Sequence, residues 1–206
     1  IALLVTFTSV VCVATSQSSS VLPPETGFAE TETLTSPELP VLSSLSPLVE
    51  KVKPIVVSIT VSSLTRGLLY DFTEDGAGSG IVVRPTGYIA TSYHVVRESE
   101  VIKVSLPDGN TYEAEVIGYD ILTDLAVVKI DIGDLDAAVF GRSDEVRVGD
   151  WTIAIGNPLG LGGTVTAGIV SAISRDIGNG PYVKFIQTDA SINRGNSGGP
   201  LFNTNG

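Results

Sequence analysis

Ser197 stands in Gly195-Asn196-Ser197-Gly198-Gly199, where the glycines let the backbone take positive φ and turn its N–H groups toward one point. A hydroxyl in that setting can attack a carbonyl carbon, with the resulting oxyanion received by the nearby N–H groups. Such a serine needs a base, and His94 is the single histidine of the chain. An imidazole can take the hydroxyl proton and return it to a leaving amine. A third group has to hold the ring in the right tautomer and stabilise its charged form. Asp124 opens the apolar run Leu125-Ala126-Val127-Val128, so a strand beginning there would hold its carboxylate rigidly. Asp120 reads as a turn residue after Gly118-Tyr119, and Asp189 as a loop acid near the serine turn. Each residue has a plainer reading on its own: an incidental serine in a glycine turn, a half-buried structural histidine, a solvated turn aspartate. Their order, His94 then Asp124 then Ser197, is more specific than any one of them.

Three side chains so far apart in sequence have to be held by rigid elements. Six strand candidates occupy 55–62, 79–84, 88–92, 101–106, 112–119 and 125–130, with Pro85-Thr86-Gly87 and Pro107-Asp108-Gly109-Asn110 as turns between them. Six short strands at this spacing predict a closed antiparallel barrel. Residues 131–149 read as a connection. A second set, 151–156, 164–174, 183–188 and 200–202, predicts a second barrel with too few strands, and the chain ends at Gly206, soon after Ser197. His94 and Asp124 fall in the first set and Ser197 in the second, so a site would lie in the cleft between the two. The expected class is all-β, with the first barrel over about 54–131, the second, incomplete, over about 148–206, and a short N-terminal helix. Leu42, Leu45, Leu48, Val49 and Val52 lie on one face of that helix, which Pro54 is expected to stop.

The composition narrows the chemistry. Hydrophobic residues make up 43% of the 206, enough for a large core. The net charge of −11 leaves no electrostatic footprint for nucleic acid. Cys12 is the lone cysteine, so no intrachain disulfide can form, and with one histidine neither a zinc site nor any other metal or cofactor is expected. Residues 156–163 are glycine-rich but lack the Gly-Lys-[Ser/Thr] of a phosphate loop. Residues 1–16 form an apolar run shorter than the ~20 residues a spanning helix needs. They read as a signal peptide or the remnant of a membrane anchor, with Ala14-Thr15-Ser16 as a small-residue cleavage site. The start on Ile1 is expected of an incomplete or processed terminus. Residues 17–41, rich in Ser, Thr, Pro and Glu, read as a solvated linker, leaving 42–206 as the globular domain. The expected location is extracytoplasmic: secreted, periplasmic or anchored facing outside.

The pentapeptide around Ser197 also matches the Gly-x-Ser-x-Gly elbow of α/β-hydrolases, but there the histidine follows the serine, and here none does. The segments 78–83, 87–96, 123–130, 148–158, 163–171 and 185–200, in this order, instead resemble the chymotrypsin-fold serine proteases, and within them the HtrA (Deg) family. The resemblance implies two six-stranded antiparallel barrels and a protein-cleaving activity independent of ATP, directed at unfolded or damaged proteins. It implies Ser197 as nucleophile, His94 as general base and Asp124 as orienting acid, with the N–H groups of Gly195 and Ser197 as the oxyanion hole. Ser191 falls at the floor of the primary specificity pocket, where a small uncharged residue fits small or aliphatic substrate side chains. Asn157, Pro158, Leu159 and Gly160 fall in the family's regulatory loop. The partners it implies are peptide or unfolded-protein substrates and further copies of the chain, as a homotrimer or larger assembly. Two departures stand out: Arg194 occupies a position where the family usually has Pro, and Ser92-Tyr93 replaces a pair of Asn. A chaperone-like binder on the same fold with a switched-off site is the alternative, and a barrel module without chemistry is a third reading.

Overall fold

The computed structural model describes residues 44–66, 71–157, 163–175, 183–193 and 195–206. The segments expected as leader and linker, 1–16 and 17–41, lie outside them. Among the described residues ten strands follow one short helix, α1 (Ser46–Val52). Strands β1 (Val56–Arg66), β2 (Asp71–Arg84), β3 (Tyr88–Ser92), β4 (Val101–Ser105), β5 (Thr111–Asp120) and β6 (Leu125–Ile130) close into an antiparallel barrel in the order β1-β2-β3-β6-β5-β4. Strands β7 (Trp151–Gly156), β8 (Thr164–Arg175), β9 (Phe185–Thr188) and β10 (Leu201–Phe202) form a second sheet in the order β10-β7-β8-β9, which does not close among the described residues. The expected all-β class, with one six-stranded barrel and an incomplete second, is what the chain adopts.

Alternation builds the barrel. In β3, β4 and β6 every second side chain is buried, as a sheet with one face on a core requires. Val57, Ile59, Val82, Ile89, Val104 and Val128 fill the interior, each at most 1% exposed. Burying a side chain of this size contributes about 1.5–3 kcal/mol. Irregular register between Val82 and Arg84 and between Val116 and Gly118 bends the strands so that the sheet can curl on itself.

A second core joins the two sheets. Val52 of α1 packs with Ile55, with Val56 at the start of β1, and with Ile153, Ile155 and Phe202 of the second sheet. Leu45 and Leu48 cover this cluster, so the apolar stripe expected of the helix is its contact face. The α-helix ends at Val52, ahead of Pro54, as expected. The chain passes Val52 into a tighter 3-10 turn, Lys53–Ile55, with Pro54 inside it, because that geometry also suits proline's fixed φ. Residues 131–149 connect the two sheets with a single 3-10 turn, Ser143–Glu145. They are tied to the first barrel where Ala138 N–H donates to Val82 O and Leu135 N–H to Pro85 O. No helix among the described residues is long and apolar enough to cross a membrane.

Candidate active site

Strands β3 and β6 pair with Ser92 opposite Leu125. The residues just beyond that rung, Tyr93-His94 on one side and Asp124 on the other, therefore meet at the barrel rim. After Ser92 the chain makes one helical turn, α2 (Tyr93–Val96), which the sequence did not announce. Its Val95 and Val96 are buried in the barrel core, and this turns His94 outward with 48% of its side chain exposed. So large an exposure is incompatible with a core histidine. Tyr93 stacks on Tyr119 of β5, ring centroids 4.7 Å apart and 24° from parallel, which bolts the turn to the neighbouring strand.

Asp124 approaches from a turn that Asp120 organises. The Asp120 carboxylate accepts from Leu122 N–H (2.9 Å) and Thr123 Oγ1–H (3.0 Å), as the turn role read for it requires. Asp124 itself sits at φ 56°, in the left-handed region that few residues other than glycine adopt. Three hydrogen bonds hold it there. Its carbonyl accepts from Tyr93 N–H (2.9 Å), Oδ1 accepts from His94 N–H (2.9 Å), and Oδ2 lies 2.6 Å from His94 Nδ1. An ionised carboxylate only accepts, so Nδ1 carries the proton and Nε2 is left with its lone pair toward solvent. A cavity of about 430 Å³ opens beside the pair, lined by Ser92, Ile121, Leu122, Asp124, Leu125 and Phe185 among others. A larger hollow of about 550 Å³, lined by Phe140, Trp151 and Phe202 among others, contains none of His94, Asp124 or Ser197.

Ser197 comes from the second sheet and is partly buried. Its turn is built by Asn196 N–H to Asn193 O (3.1 Å) and Gly199 N–H to Asn196 O (2.8 Å), with Gly195 at φ 95° and Gly198 at φ 79°. The turn lies directly on the first barrel. A β-carbon added at Gly198 would fall 2.8 Å from Ser92 N, and one at Gly78 would fall 2.7 Å from a Val95 methyl and 3.1 Å from Ser197 O. So the Ser197 backbone is packed against the residues that flank His94. Among the described residues no hydrogen bond joins Ser197 Oγ to the imidazole, and neither Gly195 N–H nor Ser197 N–H donates to an acceptor there.

Ser191 is exposed at the end of the β9 segment, its carbonyl accepting from Thr166 Oγ1–H (2.8 Å). Asp189 accepts from Ile169 N–H at 2.6 Å and so ties that segment to β8. Asn157 is buried, with its Oδ1 unpartnered, as are both polar side-chain atoms of the buried Asn196. Pro158, Leu159, Gly160 and Arg194 lie outside the described residues. The sequence reading gave no role to Ser79, a fully buried serine of β2 whose N–H donates to Ser197 O (2.8 Å) and whose hydroxyl donates to Gly195 O (2.5 Å). The available signal was its setting, Gly78-Ser79-Gly80, since glycines inside a strand mark close approach of another backbone.

Comparison with known proteins fits this arrangement. A model of the trypsin-like peptidase domain matches residues 78–206. The chain belongs to the trypsin-like peptidase family. Among curated relatives, a probable periplasmic serine endoprotease DegP-like of Brucella suis is 53% identical over 131 residues, 63% of this chain and 26% of that protein. A putative serine protease HhoB of Synechocystis is 48% identical over 140 residues, 66% of this chain and 34% of that protein. The chain thus spans about a quarter to about a third of these relatives' length. Among solved structures, the HtrA-type protease AlgW with tripeptide superposes with a TM-score of 0.70 at 41% identity, over 78% of this chain and 51% of that one. The resemblance to the HtrA (Deg) group read from the sequence motifs is borne out.

Proposed function

We propose that the protein is a serine endopeptidase of the HtrA/Deg type, with Ser197 as nucleophile, His94 as general base and Asp124 as the acid that orients it. The observation that carries this reading is the double grip of Asp124 on His94, one oxygen on the ring and one on the main chain. It presets the tautomer with Nε2 free to accept a proton, at the rim where the Ser197 turn packs. In the proposed reaction Ser197 Oγ attacks the substrate carbonyl as its proton passes to His94 Nε2. The oxyanion is received by the N–H groups of Gly195 and Ser197, which donate to no acceptor among the described residues. Collapse expels the amine with the proton from the imidazolium and leaves an acyl-enzyme. Water, deprotonated by His94, then attacks the ester and frees Ser197. A small movement that brings Oγ within bonding range of Nε2 belongs to this reading, since such bonds are often loose until substrate binds.

Ser191, exposed beside the serine turn, is proposed as the pocket floor, selecting small or aliphatic side chains. Asn157 to Gly160 is proposed as the regulatory loop. The substrates are proposed to be unfolded or damaged proteins, cleaved without ATP, by a homotrimer or larger assembly in an extracytoplasmic compartment; the periplasmic naming of the relatives supports the location. Ser197→Ala in the full-length protein should abolish casein cleavage and labelling by a fluorophosphonate probe. Casein cleavage undiminished in that variant would refute the assignment. A chaperone-like binder would leave the unmodified protein unlabelled.

A further inference from the structure

Ser79 uses every polar atom it has, and its N–H and hydroxyl act on the loops around Ser197. Its main-chain N–H donates to Ser197 O (2.8 Å), and its carbonyl accepts from Thr91 Oγ1–H (2.7 Å). Its hydroxyl donates to Gly195 O (2.5 Å) and accepts from Asn157 N–H (2.8 Å). A hydroxyl has one proton. With that proton committed to Gly195 O, the Asn157 N–H can only meet a lone pair, so the rotor has one setting. The side chain is 0% exposed, so water cannot substitute for any of these partners.

We propose that Ser79 is a positioning residue for the oxyanion donors. This rests on the roles given above to Ser197 and Gly195. The hydroxyl bond to Gly195 O fixes the peptide plane between Gly195 and Asn196. The N–H bond to Ser197 O fixes the plane between Ser197 and Gly198. The Ser197 N–H lies on the peptide between these two, and the Gly195 N–H lies immediately before the first. Gly195, at φ 95° and with no β-carbon, has little local resistance to rotation. Without the Ser79 hydroxyl its carbonyl would be buried and unpaired, and the plane would turn to satisfy it. The N–H groups would then swing off the oxyanion position while His94, Asp124 and Ser197 stayed intact. The same hydroxyl ties the main chain of Asn157 to this plane, so the end of β7 and the serine turn share one anchor.

The test compares Ser79→Ala with Ser58→Ala in the full-length protein, using a chromogenic peptide substrate and a peptide boronic acid. Ser58 faces Ser79 across the β1–β2 ladder, is equally buried, and its hydroxyl has no partner among the described residues. Losing an oxyanion donor outright costs about 10²–10³ in kcat, so loosening the donors should cost about 10–100-fold. KM should stay within about threefold, because substrate binding is not what the donors supply. Affinity for the boronic acid, which presents a tetrahedral oxygen to the site, should fall in step with kcat. Ser58→Ala should keep the unmodified kcat. Ser79→Cys, which fills the space with a weak donor, should also lose kcat, and it serves where the alanine variant does not fold. A kcat within about twofold of unmodified in Ser79→Ala or Ser79→Cys overturns the inference. So does a loss shared equally by Ser58→Ala, or a loss confined to KM. If Ser197→Ala itself remains active, the reading of the site fails first, and the two failures are told apart by that variant.

Discussion

Replacing Asp124 by Asn tests the site at its most determined point. The amide has one acceptor and one donor end, and the structure dictates which goes where. Oδ1 of Asp124 accepts the main-chain N–H of His94 at 2.9 Å, and that proton cannot be withdrawn. The Asn carbonyl must take this position, because an NH₂ group there would face another donor. The NH₂ group then falls where Oδ2 stood, 2.6 Å from Nδ1 in the unmodified protein. Nδ1 has to become the acceptor, so the ring proton moves to Nε2, which can no longer take the proton of Ser197. The geometry survives and the tautomer is wrong. In Ser-His-Asp hydrolases generally, this substitution lowers kcat by about 10⁴-fold, or roughly 5–6 kcal/mol in the barrel-rim chemistry proposed here. Two assays read it. Steady-state cleavage of a peptide substrate gives kcat, and ¹⁵N NMR of the imidazole gives the tautomer directly. His94 is the single histidine of these 206 residues, and the couplings of its ring nitrogens to Hδ2 and Hε1 tell Nδ1 from Nε2. The unmodified protein should show a pyrrole-type Nδ1 and the variant a pyrrole-type Nε2. A variant that retains kcat within about tenfold, or a ring whose tautomer does not change, would refute the reasoning.

Gly198→Ala should be strongly destabilising: the residue would sit at φ 79°, and its β-carbon would press on Ser92 N and on the bond between Thr91 Oγ1 and Ser79 O. Left-handed strain of about 1–2 kcal/mol and a disturbed buried hydrogen bond of about 1–3 kcal/mol set the scale, read as a fall in the midpoint of denaturant unfolding together with loss of fluorophosphonate labelling. An unchanged midpoint would mean that the serine turn is not packed on the barrel as described. Tyr119→Ala removes the ring under Tyr93 and should cost about 0.5–1.5 kcal/mol beyond the lost area, with a modest fall in kcat because α2 loses its lateral support. Tyr119→Phe keeps the stack and should keep both stability and kcat in the same assays.

The strands were legible because the barrel is built by a local rule. Alternation in Tyr88–Ser92 and Leu125–Ile130 gives both strands to the residue, since each has one face on the core and one off it. The hairpin of β1 and β2 runs further than apolar alternation predicts, to Arg66 in one strand and from Asp71 in the other, held by continuous main-chain pairing. The α2 turn was not legible for a related reason. Tyr93-His94-Val95-Val96 is β-branched and aromatic, which reads as more strand, and only the burial of Val95 and Val96 inside the barrel makes a helical turn the better solution. Tertiary packing overrode local preference there, and the outward aim of His94 follows from it.

The meeting of His94 with Asp124 needed register as well as type. Nothing in the sequence separation of 30 between His94 and Asp124 says that Ser92 will face Leu125; the pairing of β3 with β6 does, and it places the acid where its unusual φ of 56° can be held by three hydrogen bonds to Tyr93 and His94. Ser79 was less legible still. A buried strand serine is ordinarily silent, as Ser58 beside it shows with a hydroxyl that bonds nothing among the described residues. What separates the two is the company each keeps: Ser79 lies between Gly78 and Gly80, and the missing β-carbon at Gly78 is what lets Ser197 O come close enough to accept the Ser79 N–H. The gap left by a glycine is visible in a sequence; the loop that fills it, more than a hundred residues later, is not.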